Sequence, residues 1–218
     1  PVIDNAFKYY YESDINHFRC FGGAMDCASI DKEGIHPYFT SAKLMYEATN
    51  DSSYLDYARK AAWYFVSWLY IQNPVYDADD DLTVFGIKPA GANIVGVEHP
   101  AVDEYGAILL GEFLWLSRVD NEPMWREVAE LIWRNGTQAF ADENHLVWNG
   151  LERPLGSKNE ALFPSQWSKY RTKEYKRGSI NNHLTAWQGV YRTASIYDMT
   201  PEDREWLESL NADSGLSD

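Results

Sequence analysis

Three times along the chain a helix-forming stretch opens directly behind a histidine. It then meets a turn of a few residues, continues as a second helix and ends in a long loop. The openings are Gly34-Ile35-His36-Pro37-Tyr38, the stretch from Gly96 through His99-Pro100 to Gly106, and Asn181-Asn182-His183-Leu184, in a chain with only five histidines. The short turns also correspond: Thr49-Asn50-Asp51-Ser52-Ser53, Val119-Asp120-Asn121-Glu122-Pro123 and Asp198-Met199-Thr200-Pro201-Glu202. One helical pair cannot bury its own apolar face, so a repeated pair implies stacking into an arc, a solenoid or a closed ring. Proline is tolerated in a first helical turn, where its missing N–H would be unpaired anyway. His99 therefore reads as an N-cap, and Asp103 as a carboxylate one turn inside, near the positive end of the helix dipole.

The fold class expected is all-α, a single domain of three helical hairpins. Residues 1–35 read as an irregular N-terminal segment, 36–210 as the hairpins and 211–218 as a frayed tail. The helices are expected at about 37–48, 53–72, 101–117, 123–140, 182–197 and 202–210. In the second, Leu55, Ala58, Ala62, Phe65 and Leu69 recur at helical spacing with Arg59 and Lys60 opposite. The third is apolar nearly all round. The fourth buries Trp125, Val128, Ala129 and Ile132 and leaves Arg126, Glu127, Glu130 and Arg134 wet. The first helix of each pair is the more apolar, which suits an inner layer wrapped by an outer one. The short turns then gather at one end, and the long loops with the histidine starts at the other.

Net charge is -14, which argues against nucleic acid and anionic membranes as partners, because both need clustered Lys and Arg. Residues 151–178 depart from this, with seven basic residues against three acidic ones. No segment reaches the roughly 18 apolar residues of a membrane span. Cys20 and Cys27 could form a disulfide but lack redox or zinc spacing, and free thiols of a reducing, cytoplasmic compartment are the simpler reading. The chain opens at Pro1 without an initiator Met or a signal peptide, as expected of a processed or truncated chain.

The His-Pro helix entries, the Asn-Asp-Ser-Ser-Tyr-Leu turn and the aromatic long loops resemble the six-hairpin glycosidase superfamily, the (α/α)6 toroids. That superfamily includes glycoside hydrolases, unsaturated uronyl hydrolases, some polysaccharide lyases and sugar epimerases. The resemblance spans about residues 34 to 210 and supplies three hairpins where six close the ring. A C-terminal half, a homo-oligomer or an open arc would each account for that. The resemblance implies a carbohydrate substrate, cleavage of a glycosidic bond by two carboxyl groups, and a cleft at the mouth where long loops meet inner-helix starts. On this reading Asp103 and Glu98 are the catalytic candidates. His36, His99, His183, Tyr105, Trp187, Trp167 and Arg171 are the substrate-binding ones. The mouth, lined by helix N-termini, should favour ionised carboxylates over protonated imidazoles.

No cofactor and no metal is expected. Three histidines could in principle converge on zinc, but helix caps or sugar donors are the simpler role. Asp77-Ala78-Asp79-Asp80-Asp81 alternates like a calcium loop, yet Leu82 stands where glycine is needed and Lys88 where the bidentate glutamate belongs, which makes a solvated acidic loop the simpler reading beside an irregular calcium site. Trp148, Phe163, Trp167, Tyr170 and Tyr175 beside the basic residues suit stacking on an acidic glycan, or packing on a partner. Lanthionine cyclases and prenyltransferases, other helical rings, need zinc ligands that neither cysteine is placed to give. The rival of another class is a non-catalytic helical module binding glycan or protein, or a half-domain needing its missing N-terminal part. Asn135-Gly136-Thr137 and Asn50-Asp51-Ser52 match the N-glycosylation pattern.

Overall fold

The computed structural model describes residues 2–20, 30–78, 80–84, 86–96, 99–138, 141, 143–144, 147–148, 151–152, 154–155, 161–162 and 199–212. The chain is mostly helical. The segment read as irregular opens with α1, Val2–Ser13, which buries only Phe7. That one ring is enough to seat the helix. It packs edge-on to Tyr38 and Tyr54 and stacked on Tyr57, with centroids 4.9 to 5.6 Å apart.

The first hairpin follows the sequence pattern closely. Helix α2, Ile35–Thr49, and α3, Ser52–Val66, are joined by Asn50 and Asp51. Asn50 ends α2 in the left-handed region at φ 55°, a conformation asparagine tolerates better than most residues. Asp51 starts α3 by accepting the Ser53 N–H at 2.9 Å, the N-cap chemistry of that turn. The apolar stripe Leu55, Ala58, Ala62 and Phe65 is buried. Its last predicted member, Leu69, lies beyond the helix. Here α3 stops at Val66, and Leu69 bridges Asn93 while the Trp68 carbonyl accepts the Ile94 N–H. A sheet edge captured the carbonyls that another helical turn would have used.

The second hairpin is α5, Leu110–Val119, and α6, Met124–Asn135. The turn between them is tied to α3: Arg59 Nε donates to Asp120 at 2.7 Å, and Trp125 Nε1 donates to the same carboxylate at 3.1 Å. Burial pushes the Asp120 carboxyl up, but these donors outweigh it and hold the group below its ordinary range. Between the hairpins lies an aromatic core in which Phe113 meets Phe39 at 5.4 Å and Phe65 at 5.9 Å. Helix α6 stops at Asn135, before Gly136 and Thr137, rather than running on to 140. The C-terminal helix, Pro201–Ala212, is held to Arg118 of α5 through Asp203, and its Trp206 lies 4.2 Å under the Arg126 guanidinium. The expected helix at 182–197 lies outside the described residues. Two hairpins are therefore described, and a closed toroid is not.

The long loop after α3 holds more structure than the sequence suggested. A four-residue helix, α4 at Asp81–Val84, precedes two antiparallel strands, β1 at Asn93–Gly96 and β2 at His99–Asp103. Asp80 is fully buried and accepts the Leu82 N–H at 2.9 Å, so that part of the acidic run caps a helix instead of being solvated. Strand β2 pairs Val102 with Ile94 and Asp103 with Asn93, and on its other edge with Ala161–Leu162, completing a three-stranded sheet. A separate two-stranded ribbon joins Val147–Trp148 to Leu151–Glu152.

The expected helix at 101–117 is therefore corrected. Its first turn is strand β2, then a 3-10 helix at Tyr105–Leu109, and only from Leu110 is it α-helical. His99 is not an N-cap and Asp103 is not one turn inside a helix. The pairing with β1 satisfies the backbone in an extended form and buries Val102 with Leu82 and Ala92. The apolar run from Ala107 onward hid this strand, because a short run cannot be told from a helix start by periodicity.

Candidate functional site

The chain reaches the start of α2 through Ile30 to Gly34, a segment laid against β1. Asp31 bridges Gly96, and the Lys32 N–H donates to the Val95 carbonyl at 3.3 Å. The approach is close: a Cβ on Gly96 would lie 3.1 Å from Asp31 Cβ. Tyr64 of α3 fixes the segment from beneath, its hydroxyl donating to the Asp31 carbonyl at 2.5 Å and accepting the Cys20 N–H at 3.0 Å. Asp31 turns its carboxylate onto the Glu33 and Gly34 N–H groups, at 2.8 and 3.4 Å, and so prepares the entry to α2.

Lys32 is wholly buried by this arrangement. A buried ammonium is tolerable only with charged or hydrogen-bonding partners. It has two carboxylates and a ring: Nζ lies 3.1 Å from Asp103, 3.3 Å from Glu33 and 4.4 Å from the centre of the Tyr105 ring. Asp103 is 1% exposed and also accepts the Tyr105 N–H at 2.7 Å. Glu33 is the open member, with 31% of its side chain exposed. Both acceptor oxygens lie within these contacts of the same nitrogen, so they are no more than about 6.4 Å apart.

The electrostatics follow from burial. Desolvation pushes the Asp103 carboxyl above its ordinary range, while the Lys32 charge and the Tyr105 N–H pull the other way and Glu33 adds to the rise. Burial likewise raises Asp31, against the Glu33 and Gly34 N–H groups. His36, the second residue of α2, is driven down to about 3, first by burial and then by the Lys32 charge. Its Nε2 has no hydrogen-bond partner, and its ring leans on Phe65 at 5.6 Å. The imidazole is neutral, as the sequence led one to expect, but burial rather than a ring of helix dipoles makes it so. The expectation that the mouth would favour the ionised carboxylate fails for Asp103: it meets the first N–H of the 3-10 helix and the lysine, but desolvation outweighs both.

Of the residues singled out from sequence, the structure brings Asp103 and Tyr105 together around Lys32, with His36 close enough to feel that charge. His99 is placed by its backbone in β2, opposite Gly96. Glu98, His183, Trp187, Trp167 and Arg171 lie outside the described residues. The sequence reading missed Lys32 and Glu33 as site residues. The available signal was the run Asp31-Lys32-Glu33 placed immediately before a histidine helix start, where charges of both signs meet an apolar segment. Among the described residues no group of three or more His, Cys, Asp or Glu is arranged to hold a metal ion. Cys20 is a free, buried thiol raised to about 12 by desolvation, which makes it inert as a nucleophile. Asn135 is also withdrawn from the surface, its amide donating to the Lys88 and Ala90 carbonyls at 2.8 and 3.1 Å, so it cannot serve as a glycan acceptor in the folded chain. No family model, curated protein or solved structure matches the chain, and the site's chemistry stands on its own geometry.

Proposed function

We propose that the chain is part of a carbohydrate-active protein of the six-hairpin glycosidase type, three hairpins of a helical toroid, and that it cleaves a glycosidic bond. The observation that carries this reading is the pair of carboxyl groups on one buried ammonium, at the end of the molecule where α2 begins. Glycoside hydrolysis needs one carboxyl kept protonated and one ionised. Asp103, raised by burial, suits the acid, and Glu33, open to solvent beside the lysine, suits the base or nucleophile. Glu98, Trp167 and Arg171 of the long loops, and His183 and Trp187 from the start of the helix expected at 182–197, remain proposed neighbours of this pair. The substrate proposed from the aromatic and basic loop is an acidic glycan.

A second reading is favoured by one observation. Asp103 is closed off behind Lys32 and Tyr105, as a structural ion pair would be. On that reading the chain is a non-catalytic module binding glycan or protein. Reducing-end release from a panel of neutral and uronic-acid oligosaccharides separates the two. The hydrolase reading expects cleavage of at least one glycan and a loss of about 10²-fold or more in Glu33→Gln. Glycan binding without cleavage, by the unsubstituted protein, favours the module.

A further inference from the structure

We infer that Lys32 is the positioning residue of this site: its buried ammonium joins the enclosed Asp103 carboxyl and the solvent-facing Glu33 carboxyl into one coupled acid–base unit. The catalytic consequence rests on the glycosidic reading; the coupling itself does not. Three features of the geometry carry it. The lysine has no exposed surface, so its charge is not screened by water and must be met by the groups around it. Its backbone is pinned, with the N–H on Val95 and the neighbouring Asp31 bridged to Gly96, so the stem of the lysine starts from a fixed point between sheet and helix. And Asp103 lies 71 residues from Lys32, so the fold brings it to an ammonium that Glu33, the next residue, already faces.

The groups facing this ammonium are few among the described residues. Asp103 and Tyr105 come from β2 and the 3-10 helix that follows it, and Glu33 from the entry segment, where Asp31 feels the charge while turned onto backbone N–H groups. His36 of α2 is neutral over the ordinary pH range, so it adds no charge. The Glu33 charge acts on Asp103 across one shared cation, so the Asp103 carboxyl must report its loss.

The test follows the Asp103 carboxyl carbon by 13C NMR against pH in protein labelled at aspartate. Removing the Glu33 charge with Glu33→Gln is expected to lower the Asp103 midpoint. Lys32→Met is expected to raise it by about 1 to 3 pH units, the effect of losing a cation within ~4–6 Å. Lys32→Arg keeps the charge and is expected to fall between the unsubstituted protein and Lys32→Met. Shifts of opposite sign from neighbouring substitutions are the signature, since general loosening of the site would move both the same way. Glu33→Gln alters a half-exposed side chain, so it decides the matter even if Lys32→Met does not fold. An Asp103 midpoint unchanged in Glu33→Gln overturns the coupling. Midpoints that move as stated while Glu33→Gln cleaves glycan like the unsubstituted protein support the coupling and refute the glycosidic reading. Unmoved midpoints with an inactive Glu33→Gln do the reverse.

Discussion

Asp103 was readable from sequence as a residue of interest but not for the right reason. A carboxylate one turn inside a helix can be replaced by asparagine with little loss, since the dipole interaction contributes only about 0.3–1 kcal/mol. A carboxylate that shares a buried lysine cannot. Asp103→Asn leaves the ammonium with Glu33 alone, and we expect a loss of about 3 kcal/mol in unfolding free energy where the two proteins differ most, measured by denaturant titration. An unchanged midpoint would restore the simple helix-cap role. The pH dependence has a definite sign. Folding raises the Asp103 and Asp31 carboxyl groups, so their contribution to stability is complete below the unfolded value of roughly 3.9 and is lost as pH rises through the folded values. The unsubstituted protein and Asp103→Asn should therefore differ most near pH 4, the gap narrowing toward neutrality. A gap that widens with pH would contradict the raised carboxyl. Lys32 was harder to see at this scale, because a single lysine between two acids does not by itself say that it will leave the water.

At the scale of elements, the hairpins were legible and the sheet was not. Helices α2, α3, α5 and α6 follow from 3.6-residue periodicity and from Asn50-Asp51 and Asp120–Pro123, whose turn chemistry is local. Strands β1 and β2 depend on partners distant in sequence, and the four-residue Asn-Ile-Val-Gly run is too short to declare itself. Two substitutions test the local devices. Asp51→Ala removes the cap on α3 and is expected to cost about 1 kcal/mol by thermal or chemical unfolding. A neutral result would mean that the turn holds without it. Gly91→Ala should be far worse. The residue sits at φ 92°, and a Cβ there would fall 2.0 Å from the Leu131 carbonyl oxygen of α6. We expect a loss of more than ~4 kcal/mol or failure to fold, beyond the usual range for a point change. A soluble protein of near-native melting temperature would show that the loop before β1 can move off α6.

At the scale of the whole molecule, the described residues form two helical hairpins on a shared aromatic core, with a small sheet at the end where α2 begins and a buried lysine joining sheet to helix. Their short turns were readable because they repeat. The site was half readable, since Asp103, Tyr105 and His36 were named while the groups that bind them together were not. The claim that matters most is that Asp103 and Glu33 act as the hydrolytic pair, and the stereochemistry of the product tests it most directly. Carboxyl oxygens held on one nitrogen and no more than about 6.4 Å apart fall short of the ~6.5–9.5 Å that inverting enzymes leave for an attacking water. With a glycan that the protein cleaves, 1H NMR of the first-formed anomer is predicted to show retention of configuration, abolished along with activity in Glu33→Gln. An inverted first product, or retention that persists unchanged in Glu33→Gln, would contradict the assignment of this pair.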